Sequence, residues 1–180
     1  MKLIKRHQQS SPERLPAADK YFVSACGVGF APVASGTFGS AFALLFYFFI
    51  PGFWHWYILL PCSIIVCILA IPPSSRAEKV YGDDPAMVVI DEVVGMWVSL
   101  ISPFIAAPLF GHNWLYAVIA FFLFRLFDIV KPYPANKLDA MKGGFGIMMD
   151  DVAAGVYANI TAHLVLYGLG ALSIVYVILK

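Results

Sequence analysis

Residues 124–151 read FRLFDIVKPYPANKLDAMKGGFGIMMDD, and Arg125, Asp128, Lys131, Lys137, Asp139, Lys142, Asp150 and Asp151 crowd into this stretch between two strongly apolar segments. Only 13% of the chain is charged, so charge that is scarce elsewhere is concentrated here. Ionisable groups at the edge of a bilayer are costly to keep and persist mainly where they pair, bind ions or do chemistry. The loop is therefore the expected functional centre. The apolar segments on either side of it set the expected fold class: all-α, a polytopic bundle of membrane helices.

Composition supports that frame. The 180 residues are 61% hydrophobic and the mean hydropathy is +0.79, whereas roughly half of an ordinary soluble domain is apolar. One membrane-embedded domain, residues 21–180, is expected behind a polar arm, residues 1–20. A net charge of +1 with no basic, aromatic-interleaved patch argues against nucleic acid as a partner. Cys26, Cys62 and Cys67 lack the C-x-x-C spacing of a metal or redox pair and read as small buried hydrophobes. The polar N-terminus has no cleavable signal pattern, so the apolar segments themselves are expected to direct insertion.

Along the chain, the arm carries Lys2, Lys5, Arg6, Arg14 and Lys20, with Pro12 and Pro16 discouraging a helix. Gly27, Gly29, Gly36 and Gly39 mark residues 21–40 as an interfacial or re-entrant segment. Four to five spans are expected. The first covers residues 38–50, and the second runs to Pro72-Pro73 behind an aromatic belt of Trp54, Trp56 and Tyr57. A third starts at an Asp84 N-cap with Pro85 in the first turn. The fourth ends at Lys131, because Pro132 and Pro134 disfavour helix. The last follows Asp151 and is broken near Gly168 and Gly170. Residues 104–113 form an uncharged far-side turn, while Lys and Arg gather in the arm, around Arg76 and Lys79, and after Lys131. That asymmetry puts the arm and both charged loops in the cytoplasm.

All the acids then meet one membrane surface. From a helix start at Asp84, Asp91 and Glu92 lie about 10 Å along the axis, near the headgroup boundary. Asp91, Glu92, Asp128, Asp150 and Asp151 are the candidates for a carboxylate cluster, and oxygen ligands of this kind suit Mg2+ with a substrate phosphate. Each has a plainer reading. Asp150 or Asp151 would cap the last helix, and Asp128 would pair with Arg125 three residues away. Asp83 and Asp84 read as turn and cap, and Asp139 as a solvated loop residue. Gly143, Gly144 and Gly146 offer either backbone N–H groups to an anion or a flexible turn. Lys131, Lys137 and Lys142 offset phosphate charge or meet lipid headgroups.

No histidine lies in the charged loops, since His7, His55, His112 and His163 fall elsewhere, so zinc and a histidine nucleophile are not expected. No cysteine stands six residues before an arginine, as a cysteine phosphatase loop needs. A metal-activated water remains as the route to hydrolysis. Gathered acids on one side argue against a transporter, which needs them along a path to both faces.

Four ordered motifs carry a resemblance: GTFGS at 36–40, VIDEVVGM at 89–96, FRLFDIVKPYP at 124–134 and LDAMKGGFGIMMDDVAAG at 138–155. Together they resemble the phosphatidylglycerophosphatase A family. Ser35 stands where that family usually has proline, and the long arm has no counterpart in the motifs. The resemblance implies a Mg2+-dependent, multi-pass enzyme of the bacterial inner membrane, acting on a phospholipid from the cytoplasmic side. It would remove the terminal phosphate of phosphatidylglycerophosphate to leave phosphatidylglycerol. On this reading Asp91, Glu92, Asp128, Lys131, Asp150 and Asp151 are catalytic, with Asp91, Glu92, Asp128 and Asp151 on the metal. Arg125, Lys131, Lys137, Gly143 and Gly144 would meet the substrate. Water attack and a covalent aspartyl-phosphate both remain open. The alternatives are another metal-dependent lipid phosphate transferase or a transporter with interfacial carboxylates.

Overall fold

A computed structural model describes residues 14–102 and 114–178, with side chains to residue 169. The described chain is helical: α1 Ala17–Val23, α2 Ser35–Phe49, α3 Trp56–Tyr81, α4 Ile90–Leu100, α5 Trp114–Val130, α6 Ala135–Asp139 and α7 Gly144–Ile178. The short α4 is the centre. Nine of its eleven residues are buried, and it packs most extensively on α7, then on α2, α3 and α5. Where α4 meets α7 the backbones nearly touch, since a Cβ built on Gly155 would lie 2.4 Å from the Gly95 carbonyl oxygen.

Among the described residues, two helices are long and apolar enough to cross a membrane, Trp56–Tyr81 and the Gly144–Leu169 part of α7. At about 1.5 Å per residue such lengths exceed a hydrocarbon core of about 30 Å. Their outward faces carry Leu60, Ile64, Ile68, Ile160 and Leu164, all exposed. The other expected spans do not reach that length: α2 is apolar but has 15 residues, and α4 has 11. The expected far-side turn at 104–113 lies outside the described residues, as does most of the arm.

Several boundaries differ from the sequence reading. Pro16 does not bar a helix but precedes one, its carbonyl accepting from Lys20 N–H at 3.0 Å, and Asp19 of α1 pairs with Arg76 Nε at 2.5 Å. Pro72 and Pro73 do not end α3, which runs on to Tyr81. Contacts from the start of α7 and the residue before it hold the continuation: Gly143 N–H donates to Glu78 Oε2 at 2.6 Å and Gly144 N–H to Ser75 Oγ at 2.7 Å. Gly168 does not break α7 either.

The start of α4 matters most for function. Asp84 is not its N-cap; it sits in the left-handed region at φ 45°, and Val89 at φ −139° is the residue before the helix. Val89 N–H is tied to Val23 O at 2.9 Å, which delays the helix to Ile90. Asp91 and Glu92 thus lie in its first turn, where unpaired N–H groups and the helix dipole favour negative charge.

Candidate functional site

Four segments deliver the carboxylates. The first turn of α4 brings Asp91 and Glu92, the end of α5 brings Asp128, the second turn of α7 brings Asp150 and Asp151, and the loop before α4 brings Asp84. These six acids line one cavity of about 160 Å³ together with Lys131 and, at the start of α2, Ser35 and Gly36. Asp91, Asp150 and Asp151 are buried. All five acids of the expected cluster are therefore brought together.

Two cations hold part of this charge. Arg125 pairs with Asp128 at 3.1 Å, and through the same Nη1 with Glu92. Lys131 pairs with Asp150 at 2.7 Å and with Asp139. Burial lowers the ammonium's tendency to hold its proton, but the hydrogen bonds to Asp139 and Asp150 outweigh it and raise the Lys131 pKa. Lys131 stands at φ 46°, a left-handed conformation costing an ordinary residue roughly 1–2 kcal/mol. Its N–H closes α5 on Phe127 O at 2.8 Å, and Pro132 prevents the helix from going on.

What remains unpaired is informative. Asp150 Oδ1 and Asp151 Oδ2 are buried with no hydrogen-bond partner among the described residues. Buried polar atoms are nearly always satisfied, so such atoms point to an unseen ion or water. Among the described residues no three acid, histidine or cysteine side chains converge tightly enough to cage an ion alone. A cation held by a few carboxylates and several waters, as Mg2+ usually is, fits this looser arrangement and its all-oxygen donor set.

Other expected residues stand elsewhere. Arg125 is spent on Glu92 and Asp128 and does not line the cavity. Lys137 lies 4.9 Å from the centre of the Tyr133 ring, a cation–π contact. The amides of Gly143 and Gly144 are not free for a substrate phosphate, because the Glu78 carboxylate and the Ser75 hydroxyl already accept from them. Gly144 is there for packing, since a Cβ would fall 2.1 Å from Ile71 O. Neither Asp150 nor Asp151 caps α7, which begins at Gly144. Lys142 reaches Asp83 at 3.7 Å on the surface.

Two residues were missed. Asp84 lines the cavity although it read as a cap. Much of its surface faces solvent, yet the atoms around its carboxyl withhold enough water to raise its pKa; Lys131 opposes this, and Asp139, Asp128 and Glu78 add to it. Its signal was an acid beside a proline in a chain with few acids. Ser40 donates toward Glu92 Oε2 at 3.0 Å; its signal was its place in the GTFGS motif.

Residues 21–166 match the protein-family model described as Phosphatidylglycerophosphatase A. The chain belongs to that family. Among curated relatives, Phosphatidylglycerophosphatase A of Escherichia coli is 32% identical over 162 residues, covering 87% of this chain and 89% of the relative. Phosphatidylglycerophosphatase A of Haemophilus influenzae is 36% identical over 107 residues, 59% of this chain and 60% of the relative. A Bacteroides thetaiotaomicron protein, named provisionally as a phosphatidylinositol-3-phosphatase, is 39% identical over 138 residues, 74% of this chain and 84% of the relative. No solved structure matches the chain significantly. Every residue of the acidic cavity falls inside the span that matches the phosphatidylglycerophosphatase A family, so the protein is a phosphatase of that family acting on a phospholipid.

Proposed function

We propose that the protein is a Mg2+-dependent phosphatase of the bacterial inner membrane. It hydrolyses the terminal phosphate monoester of phosphatidylglycerophosphate, giving phosphatidylglycerol and inorganic phosphate at the cytoplasmic face. The observation that carries this reading is the single cavity shared by six carboxylates and Lys131. A cavity so acidic would repel a phosphate group unless a cation intervened.

Asp91, Glu92, Asp128 and Asp151 would hold the ion, some of them through its waters, and the unpartnered Asp150 Oδ1 is a further oxygen of the same cavity. When bound, Mg2+ supplies Lewis-acid polarisation of the phosphoryl oxygens and acidifies water. Lys131 brings an ammonium to the cavity wall, where it offsets charge on the monoester. Asp139 and Asp150 fix its position in advance, so less ordering is needed when substrate arrives. Arg125 holds Glu92 and Asp128 side by side despite their like charge. The exposed apolar faces of α3 and α7 lie in hydrocarbon and keep the protein where its lipid substrate is.

The name of the Bacteroides relative makes phosphatidylinositol 3-phosphate the competing substrate. Both lipids carry a phosphate monoester, and the cavity chemistry treats that group alike. Phosphate release by the purified protein is to be measured with phosphatidylglycerophosphate, phosphatidylinositol 3-phosphate and phosphatidic acid, each with Mg2+ and with chelator. Turnover of phosphatidylglycerophosphate at least tenfold above the others, abolished by chelation and restored by Mg2+, is expected. Preference for the inositol lipid, or turnover indifferent to chelation, would sink the proposal.

A further inference from the structure

Residues 36–40, GTFGS, form the first turns of α2 and meet Glu92 at both ends. A Cβ built on Gly36 would fall 1.8 Å from Glu92 Oε1, so any other residue there would occupy the carboxylate's own place. One turn on, Ser40 is fully buried. Its Oγ lies 3.0 Å from Glu92 Oε2 and 3.0 Å from the Gly36 carbonyl oxygen, and it accepts from Arg125 Nη1 at 3.4 Å.

A serine hydroxyl has one hydrogen and two lone pairs. Ser40 can therefore donate to Glu92 or to Gly36 O, but not to both at once, while accepting from Arg125 in either state. Both states leave the hydroxyl satisfied. When it donates to Glu92 Oε2 and accepts from Arg125, the buried hydroxyl is fully satisfied while it holds the carboxylate. Arg125 alone is a poor guide for Glu92, because the same Nη1 also serves Asp128.

We propose that Gly36 and Ser40 are positioning residues for Glu92. Gly36, which lines the cavity with Glu92, leaves the space in which Oε1 stands, and Ser40 with Arg125 fixes Oε2, so that Oε1 is the oxygen left for a divalent cation. The inference rests on the metal-phosphatase reading of the cavity and adds to it the device that sets the angle of one ligand. Outer partners of metal ligands typically govern affinity or activity by about 10–100-fold.

The test uses the full chain in phospholipid vesicles, with Mn2+ as a paramagnetic probe whose binding is read by electron paramagnetic resonance apart from turnover. Ser40→Ala should weaken Mn2+ binding about tenfold and lower kcat about tenfold, with KM for the lipid within about twofold. Ser40→Thr, which keeps the hydroxyl, should restore both. Ser63→Ala is the control, because Ser63 is also a buried helical serine but, among the described residues, its hydroxyl donates to Leu59 O of its own helix at 2.7 Å and not to the acidic cavity. Gly36→Ala should lose more than Ser40→Ala, and adding Glu92→Asp should recover part of that loss by withdrawing the carboxylate from the new methyl. If Ser40→Ala matches Ser63→Ala in Mn2+ affinity and kcat, or if threonine gives no rescue, the proposal is overturned. An unmodified protein that binds Mn2+ but hydrolyses no lipid would refute the substrate reading alone, since the affinities still decide the role of Ser40. One that binds no Mn2+ would refute both.

Discussion

Asp151→Asn should stabilise the cation-free protein while abolishing its activity. Asp151 is 3% exposed, forms no ion pair among the described residues, and leaves Oδ2 buried without a partner. An unsatisfied buried polar group costs about 1–3 kcal/mol and a charged one more. The amide keeps the shape and removes the charge, so a gain of about 1–3 kcal/mol is expected, or about 2–12 °C in Tm for a chain of this size. Circular dichroism during thermal unfolding in detergent, with chelator present, measures it. Saturating Mg2+ should then invert the order: the unmodified protein gains about 2.7 kcal/mol at a hundred times Kd, and the variant loses much of that gain. Asp150→Asn is the internal contrast, because Asp150 Oδ2 accepts from Lys131 at 2.7 Å and breaking that pair should destabilise. An Asp151→Asn protein that melts earlier than the unmodified one in chelator, or that keeps normal turnover, would refute the reasoning.

Gly144→Ala should cost about 1–3 kcal/mol or more in the same unfolding assay, since its methyl would meet the α3 backbone at Ile71 O and Ser75 N; an unchanged Tm would show that α3 and α7 do not pack there. For Lys131 the folded pKa is raised, so its stabilisation is complete below the ordinary lysine value and is lost as pH rises through the folded one. Lys131→Met should therefore be less stable than the unmodified chain at neutral pH, with the gap narrowing only above 10.5; a gap that closes near neutrality would contradict the pairing. With Cys26, Cys62 and Cys67 replaced, a cysteine at Met141 should resist a membrane-impermeant thiol reagent in intact cells while one at Trp54 reacts. The reverse pattern would invert the orientation drawn from the Lys and Arg distribution.

The site was legible in the sequence to the extent that charge was rare. Acids in an apolar chain are expensive, so Asp91, Glu92, Asp128, Asp150 and Asp151 stood out by type alone, and all five line one cavity. Helix boundaries were not legible where tertiary contacts override local preference. Pro72 and Pro73 are strong local stop signals, yet bonds from Gly143 and Gly144 carry α3 past them. Asp84-Pro85 is a good local start, but the tie of Val89 to Val23 delays α4 by a turn and a half or so. The glycines after Lys142 misled for a related reason: the same composition serves a phosphate-binding loop or a close helix crossing, and only the position of Ile71 tells which.

The two acidic doublets share a logic that residue type could not reveal. Adjacent residues on a helix diverge by about 100°, so Asp91-Glu92 and Asp150-Asp151 cannot each aim both carboxylates along one line. Instead the fold anchors single oxygens. Glu92 is bonded through Oε2 to Ser40 and Arg125, Asp150 through Oδ2 to Lys131, and Asp91 through Oδ1 to the Glu92 N–H at 2.9 Å. A carboxylate has two oxygens, and fixing one sets the direction of the other without consuming it. Anchoring of this kind orders the site before a cation or phosphate arrives, which is where preorganised electrostatics gain over water. It also explains why removing an anchor should harm turnover more than it harms folding: the acid stays in place, but its second oxygen no longer has a fixed heading.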